Sequence, residues 1–387
     1  MREVAITGIG STPFGKIDGR LGPSLAVEAA NTALLRAGVE RSEIGALYLG
    51  NFMSGPLSGQ EVLAGLVAEE LGLANIPCTK VEGACASGGI AFRHACLAVA
   101  SGLTDAALVI GVEKMTHANG AAVTSALNCA MDNEADGLSG LTFPGVFGLM
   151  WRIHAAKYGT TRDQVSAVVM KNKANGLKNP LAQMGAMLTL DQIRQSAQIA
   201  DPLQLYDCCP VSDGAAAVVV VRADRAKDAP DLPIRVLASA QTRGSPRISG
   251  QAENCSFDAN VAAGKKAYEM AGVSAKDVDF VELHDCFSMA EIIDSEDLGL
   301  VPRGKGAIWA AEGRTQVGGE IPINPSGGLI AKGHPVGATG VGQLYEATLQ
   351  LRGKHPNQVK DAAIGMTHNL GGTGVACSVS ILARPDA

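Results

Sequence analysis

Segments from the first part of the chain recur in the second part, in the same order. The stretch AGVERSEIGALYLGNF, which begins at Ala37, resembles AGVSAKDVDFVELHDCF, which begins at Ala271. CASGGIAFRHACLAVASG, which ends at Gly102, resembles VGATGVGQLYEATLQLRG, which ends at Gly353. A third pair, DAALVIGVEKMTH and DAAIGMTHNLGG, follows these. Any two βαβ units share some likeness, but three ordered matches with slowly growing offsets indicate an internal duplication.

Each half reads as helix, strand, glycine-rich turn, helix and strand. Such alternation predicts an α/β fold with a mostly parallel sheet covered by helices. The apolar runs DAALVIGV and AAAVVVVR are typical of strands buried on both faces. Hydrophobic residues make up 47% of the 387 residues and charged residues only 18%, so the chain can bury a large core.

The duplication divides the chain into three predicted parts. Residues 1–118 and 208–237 form the first half, and residues 238–387 form the second. Residues 119–207 match neither half and contain the basic stretch KNKANGLKNP. We interpret this segment as an inserted loop domain that covers a substrate.

Charge and cysteine use exclude several classes of protein. A net charge of −6 argues against a general nucleic-acid binder. No targeting segment is recognisable, and no apolar run reaches the roughly 18–20 residues that span a bilayer. Nine cysteines without a signal peptide indicate reduced thiols and a cytoplasmic protein. No CxxC pair is present, and adjacent Cys208 and Cys209 are a poor metal or disulfide pair, so we expect no metal site.

The duplication brings a thiol and an imidazole to equivalent places. Cys85 opens the CASGGIAFRHACLAVASG helix, and His334 lies just before the matching helix of the second half. Ligands of α/β folds gather where strands end and helices begin, so pseudo-twofold symmetry predicts that both face one pocket. A helix N-terminus and an imidazole both favour the thiolate, which is the nucleophilic form of cysteine. Cys85 alone would more readily be interpreted as a buried structural cysteine.

Two further motifs carry groups suited to chemistry. ELHDCFS follows a second-half strand, and alternation predicts that His284 and Cys286 point to the same side. THNLGGTG contains His368, Gly371 and Gly372, whose backbone N–H groups are candidates for an oxyanion hole or a substrate pocket. His368 by itself is more often a satisfied structural histidine.

Taken together, the CAS motif at Cys85, HDCF from His284 and GHPVGATG from Gly333 resemble those of the thiolase superfamily. Ordinary thiolases have Asn-Glu-Ala-Phe in place of HDCF and a Cys-x-Gly near HNLGG. The chain is instead similar to the sterol-carrier-protein-type thiolases and related acetyl-CoA acetyltransferases. The resemblance implies two pseudo-twofold halves with mixed sheets in a five-layered α-β-α-β-α arrangement, plus the inserted loop domain.

The resemblance also implies roles for the site residues. Cys85 resembles the acylated nucleophile, and His334 the histidine that activates it and contributes to the first oxyanion hole. Cys286 resembles the acid/base cysteine, and His284 stands where the family positions a water. The implied reaction is Claisen condensation or cleavage between acyl-CoA and acetyl-CoA through an acyl-cysteine, in lipid metabolism, with coenzyme A as substrate and no permanent cofactor.

Alternative functions stay open at this point. A condensing enzyme or aldolase with a substrate other than acetyl-CoA is one alternative. An acyl-CoA-binding subunit of a complex is another. The resemblance further implies a homodimer or homotetramer, and a small companion protein with a zinc ribbon and an OB fold. Neither nucleic acid nor membrane is an expected partner.

Overall fold

The computed structural model describes residues 2–73 and 75–387, and it contains helices on both faces of a large mixed sheet. The strands are β1 (Val4–Ser11), β2 (Ala46–Gly50), β3 (Cys78–Val81), β4 (Ala106–Glu113), β5 (Gln198–Ala200), β6 (Leu203–Gln204), β7 (Gly214–Arg222), β8 (Ile234–Arg243), β9 (Phe280–Glu282), β10 (Ile364–Gly371) and β11 (Ala376–Ala383). The helices are α1 (Gly22–Leu35), α2 (Ser54–Ser58), α3 (Leu63–Glu70), α4 (Ser87–Ser101), α5 (Gly120–Asn128), α6 (Phe143–Tyr158), α7 (Arg162–Lys178), α8 (Leu190–Arg194), α9 (Asp258–Ala271), α10 (Ser288–Asp297), α11 (Gly306–Ala311), α12 (Gly328–Lys332) and α13 (Val336–Leu351). None of the helices in the described ranges is both long and apolar enough to cross a bilayer.

Nine strands lie in the order β3-β2-β4-β7-β1-β8-β11-β10-β9. The expectation of a mostly parallel sheet is wrong. Only β2 with β3, β2 with β4, and β9 with β10 run parallel, whereas the other five pairs are antiparallel. The reason is that β7 returns from the inserted segment and β11 returns from a tight turn after β10, so neither follows a βαβ crossover. The mixed sheet that the thiolase resemblance implies is confirmed.

The duplicated segments occupy equivalent positions in the sheet. Helix α4 corresponds to α13, and β4 corresponds to β10, each beside an equivalent strand, β2 or β9. The halves meet where β1 pairs with β8 over two residue pairs, Ala5 with Arg235 and Ile6 with Ile234. Every residue of β4 is buried, as its continuous apolar sequence predicts for a strand covered on both faces.

Three clusters of buried apolar side chains lie between the helices and the strands of the sheet. Side chains of α1 and α3 pack on the outer face of the first half, and those of α9 and α10 pack on the outer face of the second. Helices α4 and α13 lie between the two halves in a core to which Ile6, Val218, Phe280 and Leu382 contribute. Helix, sheet, helix, sheet and helix therefore follow one another, which is the predicted five-layered arrangement.

Glycines hold the two central helices in contact. A Cβ atom added to Gly88 would lie 2.8 Å from the carbonyl oxygen of Gly337. One added to Gly340 would lie 2.4 Å from the backbone nitrogen of Gly89. Both separations are shorter than real Cβ contacts, so only glycine permits this approach. The N-terminal ends of α4 and α13 are thereby placed side by side.

The segment between the halves contains α5 to α8 and the β5–β6 hairpin. Helix α7 packs against α10, α11 and α12 of the second half. Asn172 of α7 donates to Asp285 at 2.8 Å and to Glu291 at 2.7 Å, and Lys171 pairs with Glu291 at 2.7 Å. The domain boundaries given above stay a prediction. Buried polar contacts nevertheless join this segment to the second half.

A buried ion pair supports the turn that precedes His334. Lys332 Nζ lies 2.5 Å from Glu346 Oε1, and His355 Nε2 lies 3.0 Å from Glu346 Oε2. Burial alone would raise the pKa of Glu346, but the Lys332 charge and the His355 contact outweigh it and hold the pKa at about 2. A carboxyl with a lowered folded pKa stabilises the fold above its unfolded value, so this stabilisation is lost as pH falls from about 5 toward 2.

Replacement of Glu346 by glutamine is expected to lower the free energy of unfolding by about 3–5 kcal/mol, because it leaves the Lys332 charge buried without its partner. Urea unfolding at pH 7 measures the change. Glu269→Gln is the matched control, since Glu269 forms an exposed pair with Lys265 that contributes at most about 1 kcal/mol. Equal effects of the two variants would contradict the prediction.

Candidate active site

Cys85 lies in a short 3-10 turn, Ala84–Ala86, between β3 and α4. Ala84 has a φ of 49°, a left-handed conformation that costs energy for a residue with a side chain. Ser87 stabilises this turn, because its hydroxyl donates to the Ala84 carbonyl at 2.6 Å and accepts from Gly83 N–H at 3.0 Å. The strained turn presents the Cys85 thiol at the start of a helix, as predicted.

His334 precedes α13, and its hydrogen bonds define its tautomer. Thr339 Oγ1 lies 2.7 Å from His334 Nδ1 and 3.0 Å from the Pro335 carbonyl oxygen. The threonine has one hydroxyl proton, and it donates this proton to Pro335, so its oxygen must accept from His334 Nδ1–H. His334 Nε2 is buried and has no hydrogen-bond partner among the residues that the structure describes. This nitrogen therefore carries no proton and is an unoccupied hydrogen-bond acceptor that faces the site.

His284 has the opposite tautomer. Asn369 Nδ2 lies 3.1 Å from His284 Nδ1, and Asn369 Oδ1 accepts from Gly89 N–H at 3.4 Å. The Gly89 contact fixes the amide orientation, so Asn369 Nδ2 donates and His284 Nδ1 accepts. The proton of the neutral ring is consequently on Nε2. His284 offers a hydrogen-bond donor where His334 offers an acceptor.

The three side chains converge on one point. The Cys85 sulfur and one ring nitrogen from each of His284 and His334 all lie within 4.8 Å of one another. The two imidazoles are nearly perpendicular, with ring centroids 5.0 Å apart. Cys85 comes from the first half and the histidines from the second. The duplication argument therefore predicted the right juxtaposition.

Burial decides the charge state of this cluster. It raises the pKa of the Cys85 thiol to about 12, although a hydrogen bond from the Gly372 backbone acts in the other direction. It lowers the pKa of His334 to about 3. It also lowers the pKa of His284, and the nearby charges of His334 and His368 add to this. The resting site thus holds a neutral thiol between neutral imidazoles. In the sequence analysis, the helix N-terminus and the imidazole beside Cys85 favoured the thiolate instead.

The candidate residues near the C-terminus take different positions. Gly372 places its backbone N–H against the Cys85 thiol. Gly371 packs on the nucleophile turn, since an added Cβ would lie 2.3 Å from the Gly83 carbonyl oxygen. His368 lies behind His284 and outside the cluster, where its Nδ1 accepts from His284 N–H at 3.4 Å and its Nε2 meets Asn260 Oδ1 at 2.9 Å. Of these three residues, Gly372 is therefore the one whose backbone N–H can donate a hydrogen bond to a group bound at Cys85.

Cys286 lies at a bend after β9, directly before Phe287. The strand ends at Glu282, so strand alternation does not extend to this residue. Burial raises the pKa of the Cys286 thiol, and the charges of Cys209 and Cys85 raise it further. The second predicted thiol is therefore protonated and within electrostatic reach of the first.

Sequence reasoning missed two residues that set the tautomers, Thr339 and Asn369. Thr339 sits in GHPVGATG, within the first turn and a half of α13, where its hydroxyl can reach back to the preceding turn. Asn369 follows His368 in β10, and strand alternation puts neighbouring side chains on opposite faces. Alternation along MTHNLGG would have shown that Asn369 and His368 lie on opposite faces of β10, so that only one of them can contact the site.

The neutral resting state predicts how Cys85 reacts with an alkylating reagent. Only the thiolate attacks iodoacetamide, so the alkylation rate should rise about tenfold per pH unit between pH 7 and pH 9. Peptide mass spectrometry of timed digests measures this rate, and exposed Cys129 in the same digest is an internal reference. A Cys85 rate that is already maximal at pH 7 would show a preformed thiolate.

Fold and site define an α/β enzyme with a helix-start cysteine and two histidines in complementary tautomers. The family model for the thiolase N-terminal domain matches residues 4–224, and that for the thiolase C-terminal domain-like region matches residues 241–384. An acetyl-CoA acetyltransferase of Methanothermobacter thermautotrophicus is 44% identical over 99% of this chain and all of that protein. Human sterol carrier protein 2 is 33% identical over all of this chain and 73% of its own length.

A solved structure described as an Ltp2-ChsH2(DUF35) aldolase superposes with a TM-score of 0.85 at 26% identity, covering 99% of this chain and 98% of that one. The chain therefore belongs to the thiolase family. It is a thiolase-type acyltransferase, which makes or breaks a carbon–carbon bond by Claisen chemistry.

Proposed function

We propose that the chain is an acetyl-CoA acetyltransferase that forms and cleaves acetoacetyl-CoA through an acetyl group on Cys85. The observation that carries the proposal is the convergence of Cys85, His284 and His334 within 4.8 Å. The name of the 44% identical relative supports acetyl-CoA as the substrate. A cysteine thioester is close in energy to a coenzyme A thioester, so acyl exchange between them needs little driving force.

His334 is the base of the acylation step. Its bare Nε2 removes the Cys85 proton as the sulfur attacks the acyl carbon, which avoids forming a free thiolate in a buried site. The protonated His334 ring then donates a hydrogen bond from Nε2–H to the thioester oxygen of acetyl-CoA. This acetyl-CoA leaves in the cleavage direction and enters in the condensation direction. Thr339 holds the ring in the tautomer that this role requires.

Two donors stabilise negative charge on the acyl oxygen. Gly372 N–H acts on the Cys85 thiol, and a ring nitrogen of His284 lies within 4.8 Å of its sulfur. Because Asn369 occupies Nδ1, we assign this nitrogen as the protonated Nε2. Fixed donors in a site that excludes water stabilise a developing oxyanion more than the ground-state carbonyl. Asn369 holds His284 in the donor tautomer, so we assign it a positioning role.

Cys286 moves the proton of the carbon–carbon step. Its raised pKa keeps it protonated, and a protonated thiol can give its proton to the departing acetyl-CoA enolate during cleavage. In the synthetic direction the same sulfur removes the α-proton of acetyl-CoA. Acylation and proton transfer therefore use different thiols, and ping-pong kinetics are expected.

A partner of the DUF35 class is a further part of the proposal. It rests on the solved relative whose description names a DUF35 protein and whose thiolase-like chain superposes over nearly the whole length. We expect such a companion, with a zinc ribbon and an OB fold, to complete the coenzyme A site of a homodimer or homotetramer. Co-expression with a companion should lower the KM for acetoacetyl-CoA, whereas equal KM values with and without it would argue against the partner.

The same relative favours one alternative, aldol cleavage of a coenzyme A thioester, because its description names an aldolase. An aldolase needs no acyl-enzyme, so a single experiment separates the two reactions. The protein is incubated with acetyl-CoA and digested, and the Cys85 peptide is weighed. An acetyl group on Cys85 supports the acetyltransferase; an unmodified Cys85, together with cleavage of a β-hydroxyacyl-CoA, supports the aldolase.

A further inference from the structure

Cys209, which the acyltransfer chemistry leaves unused, lies directly opposite Cys286. Cys208 and Phe287 form an isolated antiparallel bridge, and Cys209 N–H donates to the Cys286 carbonyl oxygen at 3.0 Å. Cys209 and Cys286 are therefore the opposed residues beside this bridge, joined by one of the two backbone hydrogen bonds that a complete antiparallel pair exchanges. Directly opposed residues in an antiparallel pair project to the same side.

The separation expected for such a pair suits a disulfide. Hydrogen-bonded antiparallel partners have Cα atoms about 5.5 Å apart, and disulfides join Cα atoms roughly 4.4–6.8 Å apart. The Cys209 charge also raises the pKa of Cys286, so the two thiols lie within electrostatic reach of each other. Both side chains are only partly buried, so a small reagent can reach them.

Cys208 is the natural comparison, because it is adjacent in sequence. Alternation turns its side chain to the face that it shares with Phe287, whose ring stacks on Phe147 at 4.7 Å. Its sulfur lies 3.6 Å from the Gln204 carbonyl oxygen. The side chains of Cys208 and Cys209 therefore point in different directions. Of these two, Cys209 is the one that lies opposite Cys286.

We propose that Cys209 and Cys286 form a dithiol modification site, at which hydrogen peroxide oxidises the pair to a disulfide. One thiolate attacks a peroxide oxygen, the O–O bond breaks, and a sulfenic acid and water form. The second thiol attacks the sulfenic sulfur, the S–O bond breaks, and a second water leaves as the S–S bond forms. Two thiols lose two electrons and two protons, and the peroxide is reduced to two waters. Two equivalents of a small thiol reverse the change.

Oxidation at this site has a defined consequence for turnover, and this consequence rests on the proposed role of Cys286. The disulfide removes the proton of Cys286 but leaves Cys85 free to accept an acyl group. The oxidised enzyme should acetylate Cys85 and fail to cleave acetoacetyl-CoA. The disulfide itself does not depend on the catalytic assignment.

The site is tested first in full-length Cys85→Ala protein, which lacks the nucleophile that would compete for peroxide. After hydrogen peroxide and alkylation, a non-reducing peptide map should show Cys209 joined to Cys286, and the link should persist in the Cys85→Ala, Cys208→Ser double variant. A link to Cys208, or an overoxidised Cys286 beside a free Cys209 thiol, would overturn the proposal.

A second probe uses reduced Cys85→Ala protein, in which Cys85 cannot take part in a bridge. Phenylarsine oxide bridges two close thiols, and it should add once to Cys85→Ala and to Cys85→Ala, Cys208→Ser but not to Cys85→Ala, Cys209→Ser. Equal addition to Cys85→Ala, Cys209→Ser would overturn the site. In peroxide-treated unmodified protein, thiolysis should fall in proportion to the disulfide formed and return with dithiothreitol. If the disulfide forms and thiolysis persists, the role of Cys286 fails while the modification site stands.

Discussion

Cys85→Ala protein is expected to lose both acetylation by acetyl-CoA and cleavage of acetoacetyl-CoA. Removal of an enzyme's covalent nucleophile typically costs at least ~10⁴-fold in kcat, because the remaining groups have nothing to act on. Here His334 would keep its bare Nε2 and Gly372 its free N–H, but no sulfur would lie between them. Mass spectrometry and a thiolysis assay measure the two losses separately.

The matched control for this variant is Cys129→Ala. Cys129 is exposed at the end of α5 and is not one of the three residues of the cluster. Its replacement should leave acetylation and thiolysis within twofold of the unmodified protein, since surface substitutions rarely change stability by more than about 0.5 kcal/mol. Thiolysis that survives Cys85→Ala would refute the acyl-cysteine mechanism.

Cys286→Ala protein should separate the two half-reactions. Acetylation of Cys85 should continue, because His334 and not Cys286 takes the thiol proton. Thiolysis and condensation should fall about 10²–10⁴-fold, which is the usual contribution of a positioned acid or base. The acetyl-enzyme should accumulate, and its mass provides a readout that a general loss of folding would not produce.

Cys208→Ala is the control for this second variant, because it removes a neighbouring, partly buried thiol that faces elsewhere. Its thiolysis rate should stay close to that of the unmodified protein. Unchanged thiolysis in Cys286→Ala would remove Cys286 from the mechanism. Equal loss of acetylation and thiolysis would instead point to damage of the Cys85 turn.

The internal duplication allowed much of the site to be predicted. It placed Cys85 and His334 before equivalent helices, and the structure brings them together with His284. Strand direction could not be predicted in the same way, because helix–strand alternation does not reveal that β7 returns antiparallel from the inserted segment. The charge state was also beyond sequence patterns, since it depends on how completely the cluster is buried.

The opposition of Cys209 to Cys286 shows a different limit. Cys209 follows the inserted segment and Cys286 follows a second-half strand, and nothing in either local sequence indicates a partner. The contact exists because the chain crosses the HDCF segment as it returns to the sheet, forming a bridge at Cys208 and Phe287. Such pairing depends on the register of two loops, which tertiary packing alone decides.

The glycine contact between α4 and α13 has a consequence for redesign of this enzyme. Gly88 and Gly340 leave no side chain between the two backbones, so the distance from thiol to imidazole cannot be tuned by changing one residue's size. Even a methyl group there would move one half of the molecule relative to the other. An engineer who alters this enzyme must therefore treat the spacing of the central helix pair as fixed.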